Sequence, residues 1–172
     1  MTRAVVLVAV ASALLAPVSL LARGPTTLIE LRSPALTAPI RTTDAKVREF
    51  NIWSGPGVND VAVADAEGFI ANWKAGAVPA PGDLRRYDVL FYTDSCATPG
   101  PGCDDHLLIY VVTYAIDPAT RQGYVYIPAA GETLYAINGP SIYRGRDVEG
   151  RWFRTTTTWD AFAAPLIASA AR

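Results

Sequence analysis

An antiparallel, mainly β fold is what this sequence predicts, and three observations predict it. Tyr87, Val89 and Phe91 alternate with Asp88, Leu90 and Tyr92, the period of two that a strand requires. Leu107 to Ile116 is a run of Leu, Ile, Val, Tyr and Thr with no charge pairs at helical spacing. Asp117 to Gly123 then reads as a turn, opened by Asp before Pro and closed by Gly, and Tyr124 to Ile127 returns as a second strand. A sandwich is the first arrangement these strands suggest. A sheet with a helix packed on it (α+β) is the alternative.

The elements follow in chain order. Residues 1–22 read as a secretory signal segment rather than as fold. Met1-Thr2-Arg3 is a cationic start, and Ala4 to Ala22 is apolar and uncharged, interrupted by Pro17 and Ser19 near its end. Ala22 is small enough to precede the cut, although Leu20 at −3 is larger than ideal. An uncleaved anchor is the alternative, since about 20 apolar residues span a bilayer. What remains, 23–172, is expected to be a single β-rich domain.

Leu28, Ile29 and Leu31 mark a first strand within Thr26–Arg32. Pro34 and Pro39 forbid a long helix after it. Thr43-Asp44 reads as a helix start, with Val47, Phe50 and Trp53 at threefold spacing on one face. Ser54-Gly55-Pro56-Gly57 ends that segment. Val58 to Ala66 is ambiguous, Gly68 to Trp73 reads as extended, and Lys74 to Asp83 is a turn-rich loop. Beyond the hairpin, Thr133 to Ile137 and Ile142-Tyr143 read as short strands, and Arg151 to Thr158 as extended chain. Thr158 is placed to cap a last helix, Trp159 to Ala171, broken or kinked at Pro165 because an interior proline costs about 3 kcal/mol.

Charge and cysteine usage bound the function. Setting Arg3 aside, 14 basic residues face 16 acidic ones, a net charge of −2 that gives no footing for nucleic acid. Arg outnumbers Lys (only Lys46 and Lys74), a composition typical of GC-rich bacterial genomes. Cys96 and Cys103 bracket two Pro-Gly pairs, so the chain can reverse and bring both Cα atoms within disulfide range. An exported chain oxidises such a pair, and the short loop limits its contribution to about 2.5 kcal/mol. The spacing does not suit a C-x2-C metal or redox site.

No motif specifies a reaction. Asp94, Asp104 and Asp105 flank the cysteine loop but lack the spacing of a calcium loop. The single histidine, His106, stands next to Asp105, and Ser54, Ser95 and Ser141 are available, yet no nucleophile elbow is present. No catalytic residue, metal or cofactor is therefore assigned. Tyr110 and Tyr114 share one strand face, and Tyr124 and Tyr126 fall near them if the turn closes symmetrically. Such tyrosines serve either as core or as a platform for sugar rings. Arg144, Arg146, Arg151 and Arg154 cluster near Tyr143, Trp152 and Phe153, where guanidinium groups suit carboxylates and phosphates.

The expectation is an exported, non-catalytic binding or interaction module of the cell envelope or extracellular space. Its partner would be a glycan, an apolar small molecule or an envelope protein. A secreted hydrolase acting on an envelope or extracellular polymer is the alternative.

Overall fold

The computed structural model of the chain describes residues 25–53, 55, 69–95, 105–138 and 147–170. Seven strands are defined there: β1 (Leu28–Arg32), β2 (Ile40–Thr42), β3 (Ala77–Val78), β4 (Arg86–Asp94), β5 (His106–Ile116), β6 (Gly123–Ile127) and β7 (Arg151–Arg154). All belong to one antiparallel sheet in the order β2-β1-β4-β5-β6-β7-β3. Two helices accompany it, α1 (Thr133–Ile137) and α2 (Thr157–Ala170). The predicted antiparallel β-rich fold is therefore present, in its helix-on-sheet form.

One face of the sheet carries the main core. Ile29 and Leu31 of β1, Tyr87, Val89 and Phe91 of β4, and Tyr110, Val112 and Tyr114 of β5 are all buried there. Val125 and Ile127 of β6 and Phe153 of β7 continue it. Helix α2 closes this face with Trp159, Ala163 and Ile167, which lie four apart and so share one side of the helix. Phe50 and Tyr114 meet the Trp159 ring edge-on, at centroid distances of 5.0 and 5.7 Å. Pro165 lies inside one continuous α2 rather than dividing it. The helix begins earlier than Thr158, because the Thr156 hydroxyl accepts the Trp159 N–H at 3.2 Å.

Three other segments differ from the sequence reading. The segment after Asp44 forms only a 3-10 turn, Ala45–Glu49. Asp44 caps it through Lys46 N–H at 2.8 Å, but the Phe50 carbonyl is taken by the Thr26 hydroxyl at 3.0 Å and the chain leaves the helix. Of the segment Gly68 to Trp73, Gly68 lies outside the described residues, and among the described residues 69–73 only Ala71 pairs as a strand residue, bridging Thr155. Asn72 then accepts Ala75 N–H at 3.2 Å and turns the chain. Thr133–Ile137 is helical, not extended, because its downstream neighbour Asn138 docks on β5. The Asn138 side chain accepts Val111 N–H at 2.7 Å and donates to the Val111 carbonyl at 3.0 Å. Continuing the β5–β6 register would place Pro128 opposite Val111, and proline has no N–H to give. The buried amide of Asn138 takes over the pairing at that point.

Candidate functional site

The second face of the sheet divides into two halves. Near the amino end of β5, Leu28, Leu90, Tyr92 and Val111 form a small apolar cluster, covered by Leu108 and by Leu134 of α1. The other half is polar and aromatic. One cross-strand row reads Arg32, Asp88, Thr113, Tyr126, Trp152 and Val78, from β1 to β3. The next reads Arg86, Ala115, Tyr124 and Arg154.

The hairpin register decides which tyrosines reach this half. Ile116 pairs with Gly123, so Ala115 faces Tyr124 and Thr113 faces Tyr126. A symmetric closure would have paired Ile116 with Tyr124. The one-residue difference moves Tyr124 and Tyr126 to the opposite side of the sheet from Tyr110 and Tyr114. Of the four tyrosines considered as a platform, Tyr110 and Tyr114 are buried in the core, where no ligand touches them. Burial pushes both of their hydroxyls well above the usual tyrosine range. Tyr124 and Tyr126 are half-buried at the surface.

Gly123 sets this register for a visible reason. The Asp160 carboxylate of α2 accepts the Gly123 N–H at 2.9 Å, the Tyr114 hydroxyl at 3.0 Å and the Thr155 hydroxyl at 2.6 Å. A Cβ on residue 123 would lie 2.1 Å from Asp160 Oδ1 and 2.3 Å from Thr155 Oγ1, so only glycine fits. Burial raises the Asp160 carboxyl above its ordinary range, and the hydrogen bonds from Thr155, Gly123 and Tyr114 oppose that rise.

Around Tyr124 and Tyr126 the surface is built from rings and guanidinium groups. The Tyr126 and Trp152 rings pack at 5.2 Å, tilted by 37°. Arg86 lies over the Trp152 ring, 5.5 Å from its centroid. Tyr126 donates to Glu132 Oε1 at 2.7 Å, and Glu132 Oε2 accepts Ala129 N–H at 3.0 Å. Burial, helped by that bond, holds the Tyr126 hydroxyl up to about 12, so it remains a donor at neutral pH. Arg154 is exposed directly opposite Tyr124, and neither Arg86 nor Arg154 forms an ion pair with a described residue.

The remaining candidates fall elsewhere. Arg151 is exposed on a position of opposite parity and pairs with Asp147 at 2.5 Å, a local ion pair at a turn. Arg144, Arg146, Cys96 and Cys103 lie outside the described residues, as does the segment 1–22. His106 faces Asp94 across β4 and β5, with Nδ1 at 3.5 Å from Asp94 Oδ1 and 3.5 Å from the Thr27 hydroxyl oxygen. Asp94, across the strand pair, is thus a carboxylate neighbour that the sequence order does not reveal. Among the described residues, no three His, Cys, Asp or Glu side chains gather as a metal site. No described helix is long and apolar enough to cross a membrane.

A second polar cluster was not anticipated from sequence. Glu30 of β1 is buried, yet it carries a carboxylate. Arg32 Nε binds its Oε1, and Arg41 Nε of β2 lies 3.2 Å from Oε2. Glu30 was legible only as a charge in the middle of an apolar strand, LIELR, with Arg32 two residues further on. Comparison of the chain with protein families, curated proteins and solved structures finds no match.

Proposed function

We propose that the chain is an exported, non-catalytic binding module that docks an acidic glycan on the Tyr124–Arg154 surface. The observation that carries this reading is the cross-strand row Arg86, Ala115, Tyr124 and Arg154. It sets two guanidinium groups without described ion-pair partners on either side of a half-buried tyrosine. A tyrosine ring offers a flat face to a sugar, and a guanidinium offers paired donors to its carboxylate or sulfate. Strands lie about 4.8 Å apart, so the Arg86 and Arg154 backbones are separated by roughly 14 Å, and the Arg86 side chain reaches back over Trp152 toward β7, which brings both guanidinium groups to the one surface.

The cationic and apolar pattern of residues 1–22 supports delivery across a membrane. In that compartment Cys96 and Cys103 would form a disulfide. Calorimetric titration of the purified protein with polygalacturonate and with a neutral glucan tests the binding. Polygalacturonate is expected to bind more tightly. Tyr124→Ala and Arg154→Ala should each weaken it by about five- to tenfold, on the order of 1 kcal/mol apiece. Equal binding of the two polymers, or affinity indifferent to both substitutions, would refute the reading.

A further inference from the structure

On the same sheet face, toward β1, Asp88 occupies an unusual position. It is half-buried in the middle of β4, and two arginines are placed to neutralise it. Arg32 is its direct partner across β1 and β4, and Arg86 lies two residues earlier on the same strand face. Neither closes an ion pair with it, although Arg32 is near enough to favour its charged form. Arg32 reaches Glu30 through Nε, and Arg86 lies over the Trp152 ring. Asp88 therefore has no ion pair within 4.0 Å among the described residues, and its one side-chain partner is the Thr113 hydroxyl, at 3.5 Å.

Arg32 is left half-used in a complementary way. Glu30 fixes it through Nε, and neither Nη makes a hydrogen bond to a described residue. Between Arg32 and Asp88 opens a cleft of roughly 270 Å³, walled by the β1–β2 loop from Ser33 to Pro39, with Leu36 as its apolar side. That volume lies just below the ~300 Å³ at which ordinary small-ligand sites begin, so it suits a ligand of few atoms. A cation donor set and an anion acceptor are thus held on adjacent strands, about 5 Å apart at the backbone, at one small opening.

We infer that this cleft binds a small aminocarboxylate, its ammonium group on Asp88 and its carboxylate on the Nη groups of Arg32. Arg32 is tethered to the buried Glu30 through Nε and attracts Asp88 only through space, so the two side chains stay open to a ligand between them. A zwitterion supplies both missing charges at once, whereas a simple anion would leave Asp88 facing it. Burial lifts the Asp88 carboxyl above its ordinary range, and an arriving ammonium relieves that cost. The site is separate from the Tyr124–Arg154 surface and does not depend on glycan binding there.

Chemical-shift titration of the isotope-labelled protein tests the inference with three probes: alanine, acetate and ethylammonium. Saturable shifts at Arg32, Leu36 and Asp88 are expected with alanine, with affinity at least about tenfold above that for either half-ligand. Asp88→Asn should weaken alanine by a similar factor and, by removing the carboxylate that faces it, strengthen acetate. The thermal midpoint of that variant shows whether the fold is retained, and the comparison of probes on the unaltered protein requires no variant. Acetate binding as well as alanine would reduce the cleft to an anion site on Arg32 and overturn the inference. So would ethylammonium matching alanine, shifts that map elsewhere, or no saturation at millimolar alanine.

Discussion

Replacing Gly123 with alanine sets two effects against each other, and the structure says which prevails. Taken locally, the change should help. Gly123 does not occupy the left-handed region, and glycine within a strand costs about 0.5–1 kcal/mol relative to alanine. The surroundings forbid it. The new Cβ would stand 2.1 Å from Asp160 Oδ1, 2.3 Å from Thr155 Oγ1 and 2.7 Å from the Tyr114 ring. Asp160 must move, and its three hydrogen bonds go with it. Bonds to a charged group contribute about 1.5–3 kcal/mol each, so even partial loss outweighs the local gain and leaves a net cost of about 3 kcal/mol. For a chain of this size that corresponds to a fall in thermal midpoint of roughly 6–12 °C. Thermal and urea unfolding of Gly123→Ala measure it. The cost should also shrink in an Asp160→Ala background, since the two residues share one contact, with a coupling of about 1 kcal/mol or more. An unchanged or raised midpoint in Gly123→Ala would refute the argument from packing.

Two further outcomes follow from the same structure. Asp160 has a folded-state pKa above its unfolded value of about 3.9, so the folded protein binds its proton more readily. Its contribution to stability is fullest below that unfolded value and declines as pH rises through the raised folded pKa. Unfolding free energies measured across the acid range should show this decline in the unaltered protein and lose it in Asp160→Asn; identical pH profiles would contradict it. Asn138→Ala removes both bonds to Val111 and leaves a strand N–H and carbonyl unpaired, at a cost of about 2 kcal/mol or more. Amide exchange at Val111 should accelerate; unaltered protection there would show that something else covers that stretch of β5.

The strands that alternate or run apolar for nine or more residues were legible because their pattern repeats often enough to exclude a helix. β4 and β5 match the reading within one or two residues at their ends. What sequence could not supply was parity across the turn. Asp117 to Gly123 was legible as a reversal, but whether Gly123 belonged to the turn or to β6 depended on Asp160, thirty-seven residues away. That single choice decided which tyrosines are core and which are surface. Thr133–Ile137 failed for a related reason. Its composition favours a strand, and a distant docking point, Asn138 on Val111, overrides a preference worth under about 1 kcal/mol per residue. Of the arginines considered for binding, Arg154 sits beside Tyr124 only because β7 pairs with β6, a neighbour relation no local pattern encodes.

The order of the strands also bears on how such a chain stays dispersed. β5 carries the stretch LLIYVVTYAI, uncharged, free of proline and rich in β-branched residues, the kind of segment that joins sheets from different molecules. It lies at the fourth place of seven, with β4 paired to it from His106 to Ala115 except at Ile109. The outermost positions go to β2, of three residues, and β3, of two. Little unpaired backbone is therefore presented to a second molecule at either margin, and Arg41 puts a charge on one of them. Growth of the sheet from chain to chain is stopped by brevity at its ends, which leaves its interior free to be as apolar as the core demands.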